Sequence, residues 1–363
     1  MKPLLFVAEH GTMGDLKPVV ILAVIAARSS KMLVTLVHED EKQFRFLEKL
    51  VHFMLGKNPS NFKVLKLSEF DTSTMDQYIS FGASFAYTCK LDFGDNGFKN
   101  RFVSCLFSKH ASHMAHFGSL YLPSRITWSN PHVLQELQEF REYHRNRNIM
   151  IFAGSLRLPI SYKELFMWLE NNPNQTSWAF ILIGYHNLDA IPGMFFASKE
   201  LMDKYFHNPN DNLLFLKDYV EFEDIVKYGD FIMTNCGAGS AFVPLVQGIA
   251  ETCGWVGDDY ISGYDKKHNF ETLGELGVGP GKRLPIHKVL QDAENNFQKY
   301  TENAQKASSF IKQETELMFQ NMDEFFELLS TNIEMQNILE TTGKIPEIFA
   351  LPDCLSHKRH KQK

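Results

Sequence analysis

Residues 235–240 read Asn235-Cys236-Gly237-Ala238-Gly239-Ser240, after the apolar run Phe231-Ile232-Met233 and before a segment, 241–248, with Phe242, Leu245 and Val246 at helical spacing. A strand, a turn of small residues and a helix start together make a place for an anion. The first N–H groups of a helix lack partners inside it, the helix dipole adds partial positive charge, and glycine lets a phosphate approach the backbone. Such junctions also occur as plain turns in α/β proteins, so these residue types allow both readings. Further along come Asp265, Lys266 and Asn269, then Leu273-Gly274-Glu275-Leu276-Gly277-Val278-Gly279. A second polar loop, His10-Gly11-Thr12-Met13-Gly14-Asp15-Leu16-Lys17-Pro18, follows the apolar residues 4–8. His10 has a pKa suited to general-base chemistry. Asp15 can cap the helix that Pro18 helps begin. His110, His113 and His116 fall at the spacing of one helix face. A metal site needs at least three converging ligands with ordered second shells, and no Cys or Glu partner stands near these three, so no metal is expected.

The elements that must position these residues alternate. Residues 4–8 suit a short buried strand and 19–27 the buried face of a helix; 32–37 suits a strand, and Phe44, Leu47, Leu50 and Val51 one side of a helix. A strand at 62–67 completes the alternation. Strands alternating with helices imply a parallel, doubly wound sheet. From 71 to 123 the periodicity weakens while aromatic residues and methionines accumulate. A domain boundary is expected between 122 and 148, where Ser129-Asn130-Pro131 marks a turn and 141–148 is strongly polar. A new strand at 149–152 ends in Ala153-Gly154-Ser155, and the alternation repeats with a helix at 161–169 and strands at 178–183 and 213–216. Beyond Gly279 the pattern is helical, through Phe297, Tyr300, Ala304 and Ala307 to Phe310, Met318, Met322, Phe325 and Leu328. The expected division is an N-terminal domain at 1–135, a linker at 136–148, a C-terminal domain at 149–310, helices returning to the first domain at 311–345, and a tail at 346–363.

Composition narrows the function. With 363 residues, 44% of them apolar, the chain can pack two cores. A formal net charge of −6 argues against a broad nucleic-acid-binding surface. The longest uninterrupted apolar run, 19–27, is far short of a membrane span, and 4–8 is too short for the core of a secretory signal, although peripheral contact with a membrane stays open. Five cysteines, odd in number and widely spaced, suggest reduced thiols and a cytoplasmic setting.

The turn at 235–240 with Asp265-Lys266-x-x-Asn269 resembles the nucleotide-sugar-binding region of the GT-B glycosyltransferases of the UDP-glycosyltransferase type. That family carries a His-Gly-Gly or His-Cys-Gly turn followed by Gly-Thr or Asn-Ser, and later Asp-Gln-x-x-Asn. Asn235 stands here for the histidine and Lys266 for the glutamine. Gly11-Thr12-Met13-Gly14-Asp15-Leu16-Lys17-Pro18 resembles the Gly-Ser-Arg-Gly-Asp-x-x-Pro segment of the sterol and antibiotic branch. The resemblance implies two Rossmann-like doubly wound domains facing a cleft. It makes Asp15 the general base, with His10 its rival in the loop formed with Gly11, Thr12 and Gly14. It makes Gly154, Ser155, Val220, Asn235, Gly237, Ala238, Gly239, Ser240, Asp265 and Lys266 the donor contacts. It also assigns the aromatic stretch 71–123 to the acceptor site, alongside its plain reading as core.

The implied reaction moves a sugar, glucose in the first instance, from a UDP-sugar to the hydroxyl of a small, lipophilic acceptor. No cofactor or metal takes part, and the anomeric centre inverts. An acceptor hydroxyl needs a positioned base as it attacks, and negative charge growing on the leaving diphosphate needs N–H donors. Two alternatives share the architecture: a non-catalytic relative that binds a nucleotide sugar or a partner, and a nucleotide-sugar epimerase or hydrolase.

Overall fold

The computed structural model describes residues 2–8, 13–38, 48, 51–52, 55–56, 59–82, 100–103, 115–116, 130–153, 161–183, 205, 211–216, 220–254, 264–282 and 284–342. Residue contacts divide the chain into two compact units, Met1–Tyr121 with Gln313–Lys363, and Leu122–Lys312.

The first unit opens with β1 (Leu4–Ala8), α1 (Met13–Ser29), β2 (Val34–His38) and β3 (Phe62–Lys66), and continues with β4 (Ile79–Gly82), β5 (Asn100–Val103) and β6 (Ala115–His116). All five residues of β1 are buried, as a central strand covered on both faces requires. Among the described residues the sheet order is β3-β2-β1-β4-β5-β6, with every pairing parallel. The order reverses between β1 and β4, which is the doubly wound arrangement.

Two expectations change in this unit, and the stretch of fading periodicity gains strands. Helix α1 begins at Met13, so Asp15 lies within its first turn, where the dipole favours a carboxylate, and does not cap it from outside. Residues 71–123, where periodicity fades, supply β4, β5 and β6. Their strands are four, four and two residues long, too short to show a period. His116 is part of β6, in register with Val103, rather than of a helix, and His110 and His113 lie outside the described residues.

The second unit contains α2 (Pro131–Tyr143), β7 (Asn148–Ala153), α3 (Ser161–Asn171), β8 (Trp178–Leu182), β9 (Leu213–Phe215), β10 (Phe231–Thr234), α4 (Ala238–Gln247), β11 (Ala250–Cys253) and α5 (Tyr264–Leu276). Helix α2 starts where Asn130 accepts a bond from the His132 N–H at 3.0 Å, with Pro131 in the first turn. Its residues occupy much of the stretch expected as a linker. Leu137 and His144 are buried there, and Arg141 forms an ion pair with Asp230.

The second sheet runs β11-β10-β7-β8-β9, again parallel, and its order reverses between β7 and β10. One face carries a core built from Phe152, Phe166, Trp178, Phe180, Phe231 and Tyr300. Gly279 allows the segment after α5 to lie against β11: a Cβ there would sit 2.0 Å from the Glu251 carbonyl oxygen.

Helix α6 (Ile286–Thr331) is a single 46-residue element, and α7 (Ile333–Thr342) follows it. Asn332 separates them by accepting bonds from the N–H groups of Glu334 at 2.9 Å and Met335 at 3.1 Å. The early part of α6 is tied to the second unit by Glu164, whose carboxylate accepts from the Ile286 N–H at 2.9 Å, and by Glu294, which accepts from the Trp178 indole at 2.8 Å. Its later part belongs to the first unit. Phe326 lies 6.0 Å from Phe6 and 5.8 Å from Phe81 between ring centroids, and Asp323 accepts two bonds from Arg28 at 2.8 Å.

Candidate functional site

In an open parallel sheet, ligands bind beyond the carboxyl ends of the strands, where the strand order reverses. In the second unit that place lies past Ala153 at the end of β7 and Thr234 at the end of β10, which are register partners. Gly154 and Ser155 follow Ala153 in the chain but lie outside the described residues. The turn at 235–240 follows Thr234 and is described.

Helix α4 begins three residues earlier than its apolar spacing suggests. Gly237 is the N-cap, Ala238 the first helical residue, and the Ala241 N–H makes a bond to the Gly237 carbonyl at 2.9 Å. Ala238, Gly239 and Ser240 therefore form the first turn, whose N–H groups have no intrahelical acceptor. Gly237 brings no side chain to cap them. The helix start anticipated from the residue types is present, and its first turn takes in Ala238, Gly239 and Ser240. At the other end, Gly248 closes α4 in the left-handed region at φ 75°.

Around the turn the side chains support one another. The Ser240 hydroxyl lies 3.0 Å from both the Asn235 Oδ1 and the Gly237 carbonyl, and the Gly237 N–H reaches the same Asn235 oxygen at 3.4 Å. The Asn235 oxygen is thus engaged within the turn, which leaves its amide NH₂ as the part that can donate to a ligand. The Ser240 proton is likewise spent inside the turn, so its N–H is the stronger candidate contact.

Cys236 is the pivot of this geometry. It adopts φ 56°, a left-handed conformation that costs any residue with a Cβ. Its N–H donates to Thr234 Oγ1 at 3.0 Å, and its carbonyl accepts from Asn269 Nδ2 at 2.9 Å. Its sulfur is joined to Cys253 in a disulfide, with the Cα atoms 5.4 Å apart, a separation normal for such a bond. Reduced thiols throughout were expected. The pairing escapes a linear reading because the β10–β11 register, in which Cys253 opposes Thr234, brings the two cysteines together.

The other expected contacts are distributed as follows. Asp265 and Lys266 lie in the first turn of α5, and their side chains are not described. Val220 is buried just ahead of the helical turn Phe222–Ile225. Gly14 and Asp15 lie in the first turn of α1, at the carboxyl end of β1 where the first sheet reverses its order. His10, Gly11 and Thr12 lie outside the described residues. Sequence reasoning singled out Asn269 only as part of a motif; in the structure it is fully buried and bonded to the turn.

Among the described residues no cluster of three or more His, Cys, Asp or Glu could hold a metal ion, and no helix is long and apolar enough to cross a membrane. Within β11, Glu251 is buried with neither carboxylate oxygen hydrogen-bonded, and loss of solvent pushes its pKa well above the usual range.

No protein-family model and no curated protein sequence matches the chain. Solved structures do. The chain is similar to UGT89C1 of Arabidopsis thaliana at 13% identity, covering 91% of this chain and 100% of that one with a TM-score of 0.58. Against UGT71G1 of Medicago truncatula, solved with UDP-glucose, the identity is 9%, the coverage 90% and 98%, and the TM-score 0.58. Against HepE of Anabaena, solved with UDP and glucose, the values are 13%, 89% and 99%, and 0.55. At such identities the likeness speaks for architecture, and it agrees with the two parallel α/β sheets: this chain has the GT-B fold of the glycosyltransferases.

Proposed function

We propose that the protein is a glycosyltransferase that moves a sugar, in the first instance glucose, from a UDP-sugar to the hydroxyl of a small, lipophilic acceptor. The observation that carries this reading is the uncapped N-terminus of α4 beyond the point where the second sheet reverses its order, on a fold whose solved neighbours include proteins crystallised with UDP-glucose and with UDP and glucose. The diphosphate sits at the N–H groups of Ala238, Gly239 and Ser240, against the side-chain-free Gly237, joined by the Asn235 amide, Gly154 and Ser155. Val220 borders the nucleotide base; Asp265 and Lys266 meet the sugar and phosphates.

The chemistry follows the developing charge. As the anomeric C–O bond breaks, the leaving diphosphate gains charge, and fixed N–H donors stabilise it most at that moment. Asp15 takes the acceptor's proton while its oxygen attacks from the opposite face, which inverts the anomeric centre. Backbone donors serve in place of a metal, so EDTA is expected to leave turnover unchanged, as measured by UDP release. Asp15→Asn is expected to lower turnover by about 10²–10⁴-fold while leaving donor affinity intact.

A second reading has its own observation: Asn235 carries no charge and its oxygen is engaged within the turn. A charged contact contributes about 1.5–3 kcal/mol and a neutral one about 0.5–1.5 kcal/mol. A binding-only relative would therefore take up UDP-sugar without consuming it. Incubation with UDP-glucose and a panel of lipophilic alcohols separates the readings. Acceptor-dependent UDP release selects transfer, release without acceptor selects hydrolysis, and binding without release selects the non-catalytic protein.

A further inference from the structure

We propose that Asn269 is a positioning residue of the donor site, which holds Cys236 in its left-handed conformation and thereby aims the α4 N-terminus at the diphosphate. The proposal rests on the transferase reading and adds to it a residue that touches no substrate.

A residue with a Cβ does not adopt φ 56° without compensation. At Cys236 the compensation is visible on both sides of the residue. Thr234 Oγ1 accepts its N–H at 3.0 Å, and Asn269 Nδ2, from a fully buried side chain on α5, donates to its carbonyl at 2.9 Å. The next residue is the N-cap Gly237, so the direction of the Cys236–Gly237 peptide sets where α4 starts. Asn235 and Ser240 complete the turn through a 3.0 Å bond that depends on the same backbone path. Asn269 therefore fixes the conformation on which the donor N–H groups depend, from an element that also carries Asp265 and Lys266 in its first turn. The Cys253 sulfur is a third tether, and reduction removes it without touching the two hydrogen bonds.

The test is calorimetric titration of UDP into the full chain under reductant, for the wild type, Asn269→Leu, Cys236→Gly and the double variant. Glycine takes a left-handed φ at no steric cost. Asn269→Leu is expected to weaken UDP about tenfold in the otherwise wild-type chain and less than about threefold in the Cys236→Gly background, because the residue held in place no longer needs holding. A purely structural role would lower the melting temperature in both backgrounds and leave the affinity of the folded protein unchanged; equal UDP affinity of wild type and Asn269→Leu overturns the proposal. If Asn269→Leu does not fold, Thr234→Val, which removes the acceptor on the other side of Cys236, takes its place with the same expectation and the same overturning result. A wild type that fails to bind UDP overturns the transferase reading itself, and this role with it.

Discussion

Asn235, just past β10, and Glu251, within β11, answer to different forces. Asn235 follows β10 with its oxygen engaged by Ser240 and Gly237, so its loss removes both a proposed ligand donor and a support of the turn. Asn235→Ala is expected to weaken UDP by about fivefold or more, measured by titration. Glu251 has no such partner. Burial favours its neutral form and raises its folded pKa; the group binds a proton more tightly folded than unfolded. Its contribution to stability is complete below the ordinary glutamate pKa and is lost as pH rises through the raised value. Glu251→Gln is expected to flatten that decline and to stabilise the protein at pH 8, read from denaturant melts at several pH values. A variant that melts in parallel with the wild type at every pH would contradict this. The turn that opens α4 was legible at this scale because glycines and small residues stand where a helix must begin. The Cys236–Cys253 bond and the hold of Asn269 on the turn were not, because both depend on which strand ends and helices the fold places side by side.

At the scale of elements, the long apolar runs were the readable ones. β1, β7, β8 and β10 are buried on both faces, and such strands announce themselves as continuous apolar segments. β5 and β6 are four and two residues long and present no period to detect. β11 reads Ala-Glu-Thr-Cys, polar by composition although its first three residues are buried, so nothing local marks it as a strand. Helix α6 illustrates the opposite case: its spacing was clear and a return to the first domain was expected from 311 onward, while its continuity over 46 residues is a property of packing. Phe326 is 1% exposed against Phe6 and Phe81. Phe326→Ala is expected to cost about 3–5 kcal/mol, seen as a lowered midpoint for a probe in the first unit. A change below about 1 kcal/mol would mean that this aromatic cluster relaxes around the loss.

Over the whole molecule, the two units repeat one plan. Each sheet runs outward from its first strand on one side and from its fourth on the other, and each leaves a reversal point with a candidate loop beyond it: the start of α1 with Asp15 in one unit, and the start of α4 in the other. Alternation of strand and helix was enough to anticipate the doubly wound class, and the short motifs at 11–18 and 235–240 anticipated the GT-B architecture. The acceptor was not legible, since acceptor sites are assembled from loops whose shape depends on tertiary packing rather than local spacing. The proposed function puts the diphosphate of a UDP-sugar at the turn opening α4. Calorimetric titration of the full chain with UDP decides whether it binds there, with Asn235→Ala and Asp15→Asn alongside. The expected result is saturable binding by the wild type, weakened by Asn235→Ala and unchanged by Asp15→Asn. Absence of heat with UDP and with UDP-glucose at millimolar concentration would contradict the assignment of this turn as a UDP-sugar site.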